Sequence, residues 1–173
     1  MPLWLIGMMG SGKSAVGQKL AAVTDSPFLD TDLLVEVEAG RSVSEVFARE
    51  GEAGFRLRES HAIEAAAVVG DAVVATGGGA VLVDGNVRSM KLSGPVVWLQ
   101  ADPATLAARI DDPSSRPLLK GDLLKGAETV ELLAAMLEDR RSAYEAAADH
   151  VVPTDDASIE EVVLLLEELW KAS

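Results

Sequence analysis

Cysteine is absent from the 173 residues, which excludes disulfides and thiolate metal sites at once. Histidine occurs only twice, too seldom to expect an imidazole-based zinc centre. Positive charge is scarce: 15 lysines and arginines stand against 28 aspartates and glutamates, a formal net charge of −13. A nucleic-acid partner is therefore not expected, because a phosphate backbone needs a basic footprint. By the same logic, any small anion must be held by a local cluster of cations against an unfavourable overall field. The positions of the few arginines thus become informative. No apolar run reaches the length of a membrane span. The first one, Leu3-Trp4-Leu5-Ile6, is short, lacks a basic flank and runs into a glycine-rich loop, unlike a secretory leader. A cytoplasmic protein with no membrane partner is the expectation. Repeats, low-complexity tracts and linkers are also missing. The chain reads as one domain, 1–173, of a size that buries about 70% of the surface its unfolded chain exposes.

What is present begins with that loop. Gly7-Met8-Met9-Gly10-Ser11-Gly12-Lys13-Ser14 has the spacing G-x-x-x-x-G-K-S, the P-loop pattern. Its glycines let successive backbone N–H groups converge on a polyphosphate, and the helix that follows adds its positive end. The segment from Gly10 through Ser11, Gly12, Lys13 and Ser14 to Ala15 is the expected ATP-phosphate cradle. Lys13 would reach the terminal phosphates, and the Ser14 hydroxyl would ligate Mg²⁺. The plain alternative is a glycine-rich strand-to-helix turn with no ligand.

Apolar runs of strand length recur at 27–29, 72–75, 96–99 and 150–152, and helical patterns fall between them. The pattern predicts a three-layer α/β/α domain with a five-stranded parallel sheet covered on both faces. Helices are expected over 14–23, with Val16, Leu20 and Val23 on one face, and over 33–39, ended by Gly40. A short helix should open at the capping-box spacing Ser42-Val43-Ser44-Glu45, and a longer one should run from about 50 to 69. Others are expected over 84–92, from Asp102-Pro103 onward with the aspartate as cap, over 128–147, and from Ser158 to Lys171 with its leucines and valines packed on the sheet. The stretch from 109 to about 122 is polar, proline-containing and unpatterned, long enough to be a lid.

Ligands of such sheets bind outside the carboxyl ends of the strands. Asp30-Thr31-Asp32 and Thr76-Gly77-Gly78-Gly79 fall there. Asp30 is placed to hold magnesium waters and Asp32 to meet a substrate hydroxyl, although one of them could simply cap the next helix. The glycines admit either a ligand or a tight helix–strand crossing. Arg56, Arg58 and Glu59 could be a solvated helix face, Arg140 and Arg141 could offset a helix dipole, and His150 reads as a strand-edge residue.

Taken together, the motifs resemble shikimate kinase over nearly the whole chain. The resemblance rests on the P-loop, Asp30-Thr31-Asp32, Glu50-Gly51-Glu52 followed by Gly54-Phe55-Arg56 and Glu59, and Thr76-Gly77-Gly78-Gly79. Arg116-Pro117-Leu118-Leu119 and Arg140 four residues before Tyr144 complete it. It implies a P-loop NTPase fold of the nucleoside-monophosphate-kinase type, with a substrate-binding segment near 31–60 and a lid near 109–122. It implies transfer of the γ-phosphate of ATP, with Mg²⁺, to the 3-hydroxyl of shikimate, a step of aromatic amino-acid biosynthesis. Carried over by motif, Asp32 would orient or deprotonate the attacking hydroxyl, and Arg56 and Arg140 would hold the shikimate carboxylate. Gly78 and Gly79 would line that pocket. Arg116 would reach the γ-phosphate, so that Lys13, Asp32 and Arg116 form the catalytic set. Arg109 would stack on adenine, Pro153 and its neighbours would form the adenine loop, and Ser14 and Asp30 would serve the metal.

One position departs from the family pattern. Ala15 stands where many members carry a second hydroxyl residue, so a hydrogen bond to the α-phosphate is missing and somewhat weaker ATP binding is expected. A gluconate kinase shares the P-loop but not the other motifs, and a nucleoside-monophosphate kinase would want more lid arginines. A regulatory GTPase would need an Asn-Lys-x-Asp motif, which is absent. A non-catalytic shikimate-binding module is disfavoured by intact Lys13, Ser14, Asp32 and Arg116. Monomer is the default expectation, since no long apolar edge announces a partner.

Overall fold

Strand β1 (Leu3–Ile6) forms the centre of the sheet, and all four of its residues are buried. The computed structural model describes residues 1–110 and 127–173. Most of the expected lid, and Arg116 with it, lies outside them. After β1 come α1 (Lys13–Thr24), β2 (Phe28–Asp30), α2 (Thr31–Ala39), α3 (Val43–Ala67) and β3 (Val73–Ala75). A 3₁₀ turn at Ala80–Leu82 leads into α4 (Asp84–Ser93), β4 (Val96–Gln100) and α5 (Pro103–Ala108). The chain closes with α6 (Ala127–Ala147), β5 (His150–Pro153) and α7 (Ile159–Lys171). The five strands are parallel in the order β2-β3-β1-β4-β5.

Period-two alternation divides the strand side chains between two cores. Trp4, Ile6, Val74, Val96 and Trp98 face one layer, packed with Ile63, Met90, Leu133, Leu137 and Tyr144 from α3, α4 and α6. Leu3, Leu5, Val73, Val97, Leu99 and Val152 face the other, against Val16 and Leu20 of α1 and Val162, Val163 and Leu166 of α7. A smaller cluster of Val35, Val46, Phe55 and Ala62 joins α2 to α3. The three-layer architecture read from the sequence is the one observed. Among the described residues, no helix is long and apolar enough to cross a membrane.

Local signals mostly act as the sequence implies. Ser42 and Glu45 form a reciprocal capping box, as do Ser158 and Glu161, and Gly40 ends α2 in the left-handed conformation. Four details differ. Val23 is exposed rather than packed with Val16 and Leu20, and Leu164 and Leu165 of α7 face outward, because each helix offers the sheet only one stripe. Asp102 makes no side-chain cap for α5; its own amide donates to Asp155 Oδ1 at 2.8 Å. The short helix and its longer successor meet with no loop between them, as two helices kinked at the non-helical Gly51 (φ 70°, ψ −175°) and together labelled α3.

Candidate active site

The P-loop joins the carboxyl end of β1 to α1. Gly12, at φ 91°, is the N-cap of α1 and supplies no capping side chain, so the first amides of the helix remain as donors for an anion. Lys13 lies buried across the loop, its Nζ donating to the carbonyls of Gly7 and Met8 at 2.8 Å each. This holds a cation at the centre of the nest. Ser14 Oγ donates to Asp30 Oδ2 at 2.9 Å, while Asp30 Oδ1 accepts the amide of Asp32 at 3.0 Å. Asp30 therefore is the helix cap, with its second oxygen turned to the P-loop serine.

A cleft of about 620 Å³ runs over this cradle. Gly10, Ser11, Gly12, Lys13, Ser14 and Ala15 line it, as do Asp30, Asp32, Gly77 and Gly78. Arg109, Thr154, Ala157, Ile159 and Val162 line it as well. The Arg109 guanidinium is fixed by donation to Thr154 Oγ1 (3.1 Å) and to Thr154 O (2.6 Å). A flat cation and small apolar groups thus line one cleft, an arrangement suited to a planar base. Pro153 is the last residue of β5 and is exposed; its successors Thr154 and Ala157–Ile159 are the ones that line the cleft.

A side pocket of about 70 Å³ shares Met9, Asp32, Gly77 and Gly78 with the main cleft. Arg56, Glu59, Gly79 and Arg140 complete its polar wall, and Val43, Phe47 and Phe55 its apolar one. Arg56 Nη1 donates to Glu59 Oε2 at 2.7 Å and Nη2 to Glu52 Oε1 at 3.2 Å. Glu59 is fully buried, and its other oxygen, Oε1, has no hydrogen-bond partner among the described residues. Burial pushes the Glu59 carboxyl above its ordinary value, against the pull of Arg56. Burial also works against the charge of Arg56, but Glu59 and Glu52 outweigh it and keep the guanidinium protonated.

The glycine run is explained by these side chains. A Cβ at Gly77 would stand 2.5 Å from Glu59 Oε1 and 2.8 Å from Asp32 Oδ1, and one at Gly79 would strike the Arg56 guanidinium. The backbone is bare there to admit charged groups of the pocket itself, rather than to permit a helix–strand crossing. Arg58, two residues from Arg56, turns away to pair with Glu50 and Glu38. Arg141 pairs with Glu138 on the surface, whereas Arg140 turns inward, its Nη1 3.4 Å from the Gly78 carbonyl. The structure therefore brings together every proposed site residue among the described ones except Pro153.

Residues without an assigned role in the sequence also belong here. Thr31, buried between the two aspartates, accepts the Gly77 amide at 3.0 Å. Phe47 and Phe55 stack with centroids 4.5 Å apart, and Glu59 anchors Arg56. Thr31, Phe55 and Glu59 carried a signal as members of the family motifs, though with no role attached; Phe47 carried none. What each of them touches required the fold.

Residues 9–170 match the family model for shikimate kinase. Shikimate kinase of Symbiobacterium thermophilum is 44% identical over 168 residues, covering 97% of this chain and 95% of that protein. The Salinibacter ruber shikimate kinase is 45% identical over 99% of this chain and 85% of its own. Among solved structures, shikimate kinase from Acinetobacter baumannii in complex with shikimate superposes with a TM-score of 0.91 at 29% identity, covering 99% of this chain and 93% of that one. With a P-loop cleft and a two-arginine pocket already found in one connected site, these similarities establish that the chain belongs to the shikimate kinase family.

Proposed function

We propose that this site transfers the γ-phosphoryl group of ATP to the 3-hydroxyl of shikimate. Family membership makes the protein an ATP-dependent kinase acting on a shikimate hydroxyl, in aromatic amino-acid biosynthesis. One observation carries the assignment of parts: the phosphate cleft and the arginine pocket adjoin, with Asp32, Gly77 and Gly78 forming a wall of both. A donor phosphate over Lys13 and an acceptor against Arg56 and Arg140 would meet at Asp32.

Phosphoryl transfer asks little covalent chemistry of a protein, only in-line placement and positive charge. In this reading Arg56 and Arg140 hold the acceptor carboxylate, to which guanidinium presents a matching fork. The apolar wall of Phe47 and Phe55 excludes water beside the ring. Asp32 orients the hydroxyl and takes its proton as the oxygen attacks the γ-phosphorus; the bond to the β–γ bridging oxygen breaks, and ADP leaves. Lys13 meets the charge on the transferring group, and we assign the same task to Arg116 on the strength of its motif. Arg109 packs against the adenine.

Mg²⁺ fits the donor set. Ser14 and Asp30 are the residues that would hold it. Among the described residues no trio of His, Cys, Asp or Glu could cage an ion, which suits a cation that keeps its waters and leans on substrate phosphates. When bound, it would neutralise charge on the β- and γ-oxygens.

A coupled ADP-release assay with MgATP and a panel of shikimate, gluconate, AMP and CMP tests the proposal. ADP release with shikimate alone is the expected result, and preference for another acceptor would overturn it.

A further inference from the structure

The acceptor side of the pocket is suspended from α6 by a residue that lines neither the cleft nor the pocket. Tyr144 is fully buried, and its ring lies stacked on Trp98 of β4, 5.2 Å between centroids and 13° from parallel. Its hydroxyl donates to the Gly78 carbonyl at 2.5 Å. Arg140, one helical turn earlier, reaches the same carbonyl oxygen with Nη1 at 3.4 Å. On the other side, the Gly77 amide is held by Thr31 Oγ1. The glycine run is therefore tied to α2 by one bond and to α6 by two that converge on one carbonyl.

We propose that Tyr144 is a positioning residue of the acceptor site, acting through the Gly78 carbonyl on the Gly78–Gly79 peptide and on Arg140. The proposal rests on reading the side pocket as the shikimate site. A trans peptide is planar, so the carbonyl of Gly78 and the amide of Gly79 point in opposite directions. The bond that fixes the carbonyl also fixes where that amide can donate. The Tyr144 hydroxyl also shares the acceptor that Arg140 would otherwise hold alone. Without it, the guanidinium is the one side-chain donor left to this half-buried carbonyl among the described residues, which draws it toward the peptide and away from a carboxylate in the pocket. Burial pushes the phenol well above its ordinary value, so the hydroxyl remains a protonated donor. The stack on Trp98 limits the ring's freedom, so the hydroxyl is held in place rather than visiting it.

Tyr144→Phe keeps the ring and the stack and removes only the hydroxyl. The expected result is a KM for shikimate raised about tenfold, the scale of one mispositioned hydrogen bond, with the KM for ATP and kcat near those of the parent. In the same variant the ¹⁵N-resolved amide signals of Gly78 and Gly79 should shift without any ligand present. An unchanged KM for shikimate together with unmoved glycine amides overturns the proposal. A parent protein that does not phosphorylate shikimate defeats the functional reading instead, and the glycine amides then decide the role of Tyr144 by themselves. Tyr144 is the only tyrosine in the chain, so 3-fluorotyrosine labels this site alone without a substitution. Its single ¹⁹F signal should move when shikimate is titrated in, and a signal indifferent to shikimate overturns the proposal even if Tyr144→Phe fails to fold.

Discussion

Asp30 divides one carboxylate between two duties, and the two can be separated. Oδ1 caps α2 through the Asp32 amide, and Oδ2 receives the Ser14 hydroxyl where the metal would lie. Asparagine retains a capping oxygen but replaces the anionic one, whereas alanine removes both. Asp30→Asn should melt near the parent temperature and lose activity that added Mg²⁺ only partly restores. Asp30→Ala should lose stability as well, about 1 kcal/mol for a missing cap. Thermal melts and a Mg²⁺ titration of kcat check both; equal Mg²⁺ dependence in parent and Asp30→Asn would remove Asp30 from the metal site. The sequence placed Asp30 at this strand end and left its two readings open. The cap is the reading observed, and the metal role stays a proposal that the second oxygen, aimed at Ser14 by the strand–helix junction, leaves room for.

At the scale of the element, the bend in α3 shapes the side pocket. Eight residues separate Phe47 from Phe55, about 12 Å along a straight helix, yet their rings stack at 4.5 Å. The bend at Gly51 brings them together, and with them the two halves of the apolar wall. Arg58 spans it, donating twice to Glu50 (2.8 and 3.1 Å) and once to Glu38 of α2 (3.1 Å). A Cβ at Gly51 would meet nothing within 4 Å, but φ 70° with ψ −175° is a region essentially reserved for glycine. Gly51→Ala should therefore cost about 1–3 kcal/mol through the backbone alone and raise the KM for shikimate more than that for ATP. A urea midpoint equal to the parent's would show that the bend does not need glycine. The sequence marked the two helical halves through Ser42-Val43-Ser44-Glu45 and the later apolar period. It could not show that they meet at a kink with no loop between them, since an angle between halves is not a local property.

For the whole molecule, carboxylates outnumber cations, and several are used to join elements. Asp149 accepts the Val96 amide of β4 at 2.9 Å and the Lys91 ammonium of α4 at 3.0 Å, while its own amide donates to Val96 O. Partial burial raises its pKa, but these donors outweigh it and hold the carboxyl below its ordinary value. A depressed carboxyl contributes stability above its unfolded value and loses it as pH falls through the folded one. Glu45, Glu50, Asp155 and Glu161 are shifted the same way; Glu59, raised by burial, has the opposite slope. Stability should thus decline on acidification below about pH 4. Asp149→Asn should flatten that decline in urea midpoints taken from pH 3 to 6, and parallel curves would exclude Asp149 as a contributor. By itself the sequence determined the phosphate cradle, the layered parallel sheet and the family, because loop spacing, strand alternation and helix caps are written in neighbouring residues. The family motifs had singled out Arg56 and Arg140, but only the tertiary structure gave the reason: these two line the side pocket, while Arg58 and Arg141 turn to carboxylates elsewhere. It also made Tyr144 hold the loop beside them. Arginines one or two residues apart on a helix are chemically alike, and which of them meets a partner depends on what the fold packs against each face.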